Sequence, residues 1–539
     1  MQKAWKKGLL ACLTLGLTVA APLLTWAADK EIVILHTNDM HCGVNDNLGL
    51  STVAKMKKDA LQKTPYVALV DAGDAVQGAP IGKLSEGEAV VKMMNTVGYD
   101  FAIPGNHEFD YGMERFWQLV KQQNCGYYSA NFTDLRTKKL ALPPYKMMQF
   151  GDTKVALVGA TTPGTLISSR PAYFQDGQGN YIYGFNEDET GRKLYRALQK
   201  SINAARENGA DYVFIVGHLG LNGSIEYWNS ESVAANTRGV DAIIDGHSHE
   251  RIQGKYVKNY VGKDVLIAQT GTKLKTVGEL VIGTDGKITS RLLKQDIGDD
   301  IKSQKVISRE IAKYEHLLSQ PVGEAVIQLR SNDPNTGERL VRNNECSLAN
   351  FVTDAFKTVL QCDVAMVNGG SIRNEIKQGV ITYNDLLEAF PFGNMCAVVE
   401  VSGQQILEAL EMGASHYPEE FGGFFQVAGL QYTINKSIPS TVQLDEKGNF
   451  SRVGGIYRVS DVRIGGQPLD ITKKYTVGGI TYVLKDGGDG IIMFKGSKLL
   501  KDGEISDVDA IIEYLQKHLN GKIGDKYANP YGDGRITIK

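Results

Sequence analysis

Residues 32–41, IVILHTNDMH, hold the pattern that decides the fold: an aliphatic run that stops abruptly in a loop containing Asp, Asn and His. The pattern returns at residues 66–74 (YVALVDAGD), 101–110 (FAIPGNHEFD), 212–220 (YVFIVGHLG) and 242–250 (AIIDGHSHE). Short aliphatic and β-branched runs predict buried strands. In open α/β sheets, ligands bind beyond the carboxyl ends of the strands. We therefore predict an α/β fold whose functional site lies in these five loops.

The length of the chain and the alternation of its patterns predict two domains. A chain of 539 residues is too long for one hydrophobic core. Helical patterns between the strand runs predict a layered α/β domain at residues 28–299, with a β-sheet core flanked by helices. The charged segment 300–320 has helical spacing and ends before Pro321, which predicts a linking helix or, alternatively, one more surface helix of the first domain. Residues 321–539 then form a second, mixed α/β domain.

The N-terminus has the features of an export signal. Lys3, Lys6 and Lys7 precede an apolar stretch followed by small residues, so we predict a signal peptide at residues 1–27 and a periplasmic or secreted protein. The alternative is a membrane anchor, but Pro22 breaks an apolar run that is barely long enough to span a bilayer. Removal of this segment removes three lysines and no acidic residue, so the net charge falls from −2 to −5. A mildly acidic protein argues against a nucleic-acid polymer as partner.

The polar residues of the five loops are suited to divalent metals. The predicted ligands are Asp39, His41, Asp74, Asn106, His218, His247 and His249. Carboxylate oxygens suit hard cations, and imidazole suits softer ones such as zinc and cobalt. Each histidine alone could be a hydrogen-bonded structural residue. The joint pattern instead predicts a hydrolase that binds two divalent ions, which could be zinc, manganese, cobalt or magnesium.

The motifs of both halves resemble those of a known family. LHTNDMH, DAGDAVQG, GNHEFDYG, GHLG and DGHSHE resemble the motifs of the calcineurin-like metallophosphoesterases. Together with NGGSIR, PFGN and GGDG, they make residues 31–539 similar to the bacterial exported 5′-nucleotidase family. That resemblance implies an N-terminal metallophosphoesterase domain, a linking helix and a C-terminal nucleotide-binding domain.

The resemblance also implies a role for each residue of the five loops. One metal would be bound by Asp39, His41 and His249, the second by Asn106, His218 and His247, and both by Asp74. His107 and Asp110 match the catalytic dyad of the family. In such a dyad the imidazole meets the charge that develops on the phosphoryl or leaving oxygen, and the carboxylate orients the imidazole.

A substrate pocket in the second half is implied in the same way. The implied contacts are Arg342, Asn368, Gly370, Arg373, Phe392, Asn394, Tyr482 and Asp489. The two arginines match phosphate-binding residues, for which the guanidinium fork is suited. Phe392 matches one wall of the nucleobase clamp, and Asp489 matches the residue that holds the ribose hydroxyls. Relatives have Phe at the position of Val483, so either Tyr482 turns into the pocket or the clamp is one-sided.

These features predict an exported 5′-nucleotidase that uses metal-activated water to hydrolyse nucleoside 5′-phosphates to nucleoside and inorganic phosphate. A 2′,3′-cyclic-nucleotide phosphodiesterase and a UDP-sugar hydrolase are alternatives on the same site. A non-catalytic surface binding protein is an alternative of another class, although none of the expected metal ligands is replaced. We expect a monomer or homodimer without a stable membrane anchor.

Overall fold

The computed structural model describes residues 30–222 and 225–539. The predicted signal peptide lies outside these residues. Within them, no helix combines the length and the apolar character that crossing a membrane requires. The described chain forms two α/β parts, as the sequence predicts.

Two β-sheets packed face to face form the centre of the first part. In spatial order, the strands of the first sheet are Ile288–Leu293, Val277–Ile282, Ile32–Thr37, Val67–Asp71 and Phe101–Ala102. Those of the second are Arg251–Lys258, Asp264–Thr270, Ala242–Ile244, Tyr212–His218, Thr153–Thr161 and Tyr145–Phe150. The surrounding helices are Gly49–Lys63, Pro80–Ser85, Glu88–Val97, Met113–Gln122, Thr165–Ser168, Arg192–Glu207 and Ser230–Asn236. A small third sheet consists of Thr133–Asp134, Lys139–Leu140 and Tyr183–Gly184.

The strand Ile32–Thr37 shows why its sequence is a continuous aliphatic run. Successive side chains of a strand point to opposite faces. Ile32 and Ile34 pack into the core between the two sheets, whereas Val33 and Leu35 pack into the core beneath the helices. Because both faces are buried, no polar residue alternates with the aliphatic ones.

Parallel pairing brings the predicted loops to the same edge of each sheet. The strand Ile32–Thr37 pairs in parallel with Val67–Asp71, and Tyr212–His218 pairs in parallel with Ala242–Ile244. The short apolar run that opens the pattern at residues 101–110 forms the strand Phe101–Ala102, which pairs in parallel with Val67–Asp71. Pro104 follows closely and has no backbone N–H to donate to a neighbouring strand.

The predicted linking segment contains two helices, Ile301–Ala312 and Glu315–Leu318. Asp300 caps the first of them by accepting a hydrogen bond from Ser303 N. Ile307 packs into the helix-side core of the first part, and Glu310 forms an ion pair with Lys92. This helix is therefore packed against the first part of the chain while it leads to the second.

The second part has its own large core. Its main sheet has the strands Phe425–Ala428, Val364–Asn368, Lys474–Ile480, Met395–Ser402 and Lys498–Ser506 in spatial order. Smaller sheets are formed by Gln467–Pro468, Val459–Ile464, Leu430–Ile434 and Ile536–Ile538, by Gly379–Thr382, Pro321–Ala325 and Lys522–Ile523, and by Val442–Leu444 and Phe450–Val453. The helices are Ser347–Leu360, Tyr383–Ala389, Gly403–Gly413, Thr481–Leu484 and Asp507–Glu513.

Candidate metal centre and active site

The seven predicted metal ligands meet where the two sheets of the first part end. Five of them have positive φ angles, a backbone region that is uncommon for residues other than glycine: Asp39 (50°), His41 (47°), Asp74 (59°), His247 (82°) and His249 (58°). Asp, Asn and His adopt this region more readily than most side chains do. Backbone held in such a region is concentrated at functional sites.

The ligands form two groups that share a centre. Asp39, His41 and His249 make the first group, in which His41 Nε2 lies 3.0 Å from His249 Nε2 and His249 Nε2 lies 3.3 Å from Asp39 Oδ1. Asp74, His218 and His247 make the second, in which His218 Nε2 lies 3.0 Å from Asp74 Oδ2. The same Asp74 oxygen is 3.9 Å from His41 Nε2 in the first group. Asp74 therefore lies within reach of both groups.

The hydrogen bonds of these residues leave ligand atoms available. Asn106 Oδ1 is buried and makes no hydrogen bond within the described residues, and the buried His218 Nε2 lies 3.0 Å from the Asp74 carboxylate. His41 Nδ1 and His218 Nδ1 lie 3.0 Å and 2.8 Å from the carbonyl oxygens of Gln77 and Ala72. A carbonyl only accepts, so each Nδ1 carries a proton, and each Nε2 would be the atom that faces a bound ion. Buried polar atoms left in this state fit a cation site.

Opposite charges shift the pKa values of this cluster strongly. Burial would raise the pKa of Asp39, but the neighbouring histidines hold it at about 2. Burial would lower the pKa of His218, but the carboxylates of Asp74 and Asp39 raise it to about 10. His247 has the opposite balance: burial, with His218 nearby, lowers its pKa to about 3. Clustered and strongly shifted groups of this kind are typical of functional sites.

The two residues of the predicted dyad are in direct contact. His107 Nδ1 lies 2.5 Å from Asp110 Oδ2, and His107 Nε2 lies 4.0 Å from Asp74 Oδ2. Burial opposes protonation of His107, but Asp110 and Asp74 together raise its pKa. The imidazole is therefore held as a potential cation beside the metal ligands.

Glu108 is a central residue of the site that no sequence pattern singles out. Its buried carboxylate accepts backbone hydrogen bonds from Asp74 N (2.9 Å), Ala75 N (2.7 Å) and Gly105 N (2.6 Å). It thereby joins the loop of Asp74 to the loop of Asn106 and His107. Burial and the charge of Asp74 raise the pKa of Glu108 to about 7. A Glu directly after a His is not part of a helical or strand pattern. The acceptance of backbone hydrogen bonds by Glu108 is therefore visible only in the folded structure.

A cavity of about 590 Å³ opens from the metal ligands into the second part of the chain. All eight predicted substrate contacts line it: Arg342, Asn368, Gly370, Arg373, Phe392, Asn394, Tyr482 and Asp489. Residues of the first part, among them His107, Asp110 and His249, line its other side. The site is therefore built from both parts of the chain.

Three arginines, Arg339, Arg342 and Arg373, line this cavity. Burial and the nearby guanidinium groups of Arg339 and Arg373 lower the pKa of Arg342 to about 9. Arg342 Nε is buried and has no hydrogen-bond partner in the part of the chain that the structure describes. The guanidinium of Arg373 lies 5.6 Å from the ring of Phe392, which is itself 5.6 Å from the ring of His107. Crowded like charges with unused donors favour binding of an anion such as phosphate.

Another part of the cavity lining is polar and aromatic. Asp489 accepts a hydrogen bond from Asn368 Nδ2 (2.8 Å), and its carboxylate lies 3.1 Å from the Tyr482 hydroxyl. Of the two neighbours left open by the sequence, Tyr482 lines the cavity, whereas Val483 is fully buried in the core of the second part. Phe421, which was not predicted, also lines the cavity, and its ring stacks on His416 at 4.3 Å.

Comparison with known proteins agrees with this geometry. The family described as calcineurin-like phosphoesterase matches residues 32–251, and the family described as 5′-nucleotidase, C-terminal domain, matches residues 318–496. The 5′-nucleotidase of Rattus norvegicus is 29% identical over 98% of this chain and 94% of its own length, and that of Vibrio parahaemolyticus is 28% identical over 92% and 91%. The crystal structure of a 5′-nucleotidase precursor from Thermus thermophilus is similar with a TM-score of 0.78 and 26% identity, covering 94% of this chain and 99% of that one. The chain therefore combines a calcineurin-like phosphoesterase domain with a 5′-nucleotidase C-terminal domain, and its relatives of similar length are 5′-nucleotidases.

Proposed function

We propose that this protein hydrolyses nucleoside 5′-monophosphates to nucleoside and inorganic phosphate. The observation that carries the proposal is a single cavity that joins two groups of metal ligands to buried arginines and to Asp489. A phosphate ester of a nucleoside has the matching chemistry, because it presents an anion at one end and a vicinal diol with an aromatic base at the other. The relatives named as 5′-nucleotidases support the same reaction.

We further propose that the centre binds two divalent ions. One would be held by Asp39, His41 and His249, the other by Asn106, His218 and His247, with Asp74 shared. When bound, two such cations activate water for attack and offset the charge of the phosphoryl oxygens. The unpartnered Asn106 Oδ1 and the closeness of His218 Nε2 to the Asp74 carboxylate support this assignment.

The protein's own residues would orient the ester and stabilise the developing charge. Arg342 and Arg373 would bind the phosphate, and Asp489 would accept hydrogen bonds from the ribose hydroxyls. Protonated His107 would donate a hydrogen bond to a phosphoryl or leaving oxygen, while Asp110 holds the imidazole in position. Phe392 would contact the base, and Asn394 would lie beside it.

A substrate panel with purified, metal-loaded protein tests the proposal. We expect rapid phosphate release from AMP, slower release from ribose 5-phosphate, and lower kcat/KM for 2′,3′-cyclic AMP and UDP-glucose. Asp74→Asn should lose turnover and bound metal together, measured by phosphate assay and elemental analysis, because the shared charge is removed without a change of size. Binding of AMP without turnover by the loaded wild-type protein would identify a binding protein instead.

We also propose that residues 1–27 direct export and that the units are 28–299, 300–320 and 321–539. Cell fractionation and N-terminal sequencing of the mature protein test the first point. Mature protein retained in the cytoplasm with its original N-terminus would contradict it. Limited proteolysis tests the second, because cleavage between compact units should fall near residues 300–320.

A further inference from the structure

A hydrogen bond behind the dyad fixes the second oxygen of Asp110. The buried Ser169 hydroxyl donates to Asp110 Oδ1 at 2.9 Å, while Asp110 Oδ2 contacts His107. A carboxylate with partners on both oxygens has a fixed plane. That plane sets the orientation of the imidazole, because the contact to His107 Nδ1 is short and directional.

The residues around Ser169 are bonded to the other domain. Arg170, the next residue, forms an ion pair through Nε with Asp486, and its Nη2 donates to Thr481 Oγ1 at 3.0 Å. On the other side of Ser169, the carbonyl of Ile167 accepts a hydrogen bond from the Tyr482 hydroxyl at 2.9 Å. The short stretch 167–170 therefore lies between the dyad and residues 481–486 of the C-terminal domain.

We propose that Ser169 is a positioning residue of the reaction, acting through Asp110 on His107, and that the Arg170–Asp486 contact seats it. Docking of the C-terminal domain thereby fixes the orientation of the imidazole on which phosphate-ester cleavage depends. The same interface aligns the substrate contacts on the C-terminal domain with the dyad on the N-terminal domain. The inference rests on the proposed function, because it assigns His107 a part in that cleavage.

The direct test compares three variants of two buried serines. We expect Ser169→Ala to lower kcat for AMP roughly 10-fold, the effect of losing one hydrogen bond to a charged group, with KM nearly unchanged. Ser169→Thr keeps the hydroxyl and should recover most of the loss. Ser201→Ala is the matched control, because the buried Ser201 hydroxyl donates to the Ala197 carbonyl within its own helix, and it should retain wild-type kcat. Metal content and thermal unfolding, measured on each variant, separate loss of positioning from loss of metal or fold.

A double-mutant cycle distinguishes positioning from a merely structural role. In an Asp110→Asn background, Ser169→Ala should cause little further loss, because its route to His107 is already weakened. Asp486→Asn should lower kcat in the wild type and have little further effect in Ser169→Ala. Wild-type kcat in Ser169→Ala, or fully additive losses in the Asp110→Asn background, would overturn the positioning role. Additive losses of Asp486→Asn and Ser169→Ala would overturn the coupling to the C-terminal domain.

Failure of the proposed function gives a different result. In that case the metal-loaded wild-type enzyme releases no phosphate from AMP, before any variant is compared. The same cycle can then be run with bis(p-nitrophenyl) phosphate, a diester without ribose or base. Losses of kcat that are less than additive with that substrate would support the positioning role, and additive losses would refute it.

Discussion

Replacement of Asp110 by Asn should move the alkaline limb of the pH–rate profile to lower pH. The side chain keeps its size and still offers an oxygen to His107 Nδ1, which lies 2.5 Å from the carboxylate. What disappears is one negative charge next to the imidazole. Burial opposes protonation of His107, and Asp110 is the largest of the groups that raise its pKa.

The size of the shift follows from that geometry. An opposite charge in direct contact changes a pKa by roughly 1–3 units, or about 1.4–4 kcal/mol of preference between the two protonation states. Because the folded-state pKa of His107 is raised, the protonated form is present at low pH and is lost as the pH rises through that pKa. The variant should therefore lose activity at a pH roughly 1–3 units lower than the wild type does. At pH values below that limb, kcat of Asp110→Asn should be lower than that of the wild type, but by less than the roughly 10²–10⁴-fold effect of removing an acid–base group altogether.

The assay is kcat for AMP from pH 5 to 10 at saturating metal, with His107→Ala measured in parallel. Asp152→Asn serves as the matched control, because this exposed residue lies in a turn and should leave the profile unchanged. An alkaline limb of Asp110→Asn that coincides with the wild-type limb would refute the assignment of that limb to His107. A wild-type kcat in His107→Ala would remove the dyad from the mechanism.

Three further variants test the pocket, the core and the linking helix. Arg373→Lys should raise KM for AMP roughly 10-fold with a smaller change in kcat, because the lysine ammonium would offer the phosphate a point charge in place of the two-pronged contact of a guanidinium. An unchanged KM would contradict the contact between Arg373 and the phosphate. Val483→Phe should lower the free energy of unfolding by about 1–3 kcal/mol without lowering KM for AMP, because Val483 is fully buried in the core. Denaturant unfolding of this variant, measured beside Val483→Ile, checks the loss of stability. A lower KM for AMP would show that residue 483 reaches the base. Asp300→Ala should destabilise the protein by about 1 kcal/mol through loss of a helix cap. Lys58, together with Ser303, holds the pKa of Asp300 at about 2. The difference in free energy of unfolding between wild type and Asp300→Ala should therefore exist above pH 4 and vanish as the pH falls toward 2. A difference that persists at pH 2 would contradict this role of the Asp300 carboxylate.

Sequence patterns predicted the strand ends well because burial on both faces leaves a clear signal. The run at residues 32–37 is aliphatic for that reason, and the polar loop after it is where the chain leaves the sheet. The patterns do not give the exact ends of the strands, and the strand after Tyr99 is only Phe101–Ala102. Pairing depends on a partner strand, and a single chain segment does not reveal where its partner ends.

The parts of the site that the sequence did not reveal depend on tertiary contacts. Glu108 acts through backbone amides of a loop more than thirty positions away, and backbone amides have no sequence signature. Whether Tyr482 or Val483 faces the cavity depends on how the short helix Thr481–Leu484 is rotated against its sheet. The hydrogen bond from Ser169 to Asp110 likewise joins residues that only the fold brings together.

The left-handed backbone at the candidate metal ligands would limit how a metal centre at this site could change its metal preference. A new ligand at Asp39, Asp74 or His249 must accept the same positive φ before it can contact an ion. Asp, Asn and His do so readily, whereas β-branched residues would add a backbone cost of order 1–3 kcal/mol. The loops of Asp39 and Asp74 also share backbone hydrogen bonds, from Asp39 N to Gly73 O and from His41 N to Asp74 O, both at 2.9 Å. Exchange among Asp, Asn and His at these positions is thus accessible by single substitutions, whereas a change in the spacing of the ligands would have to reshape two loops at once.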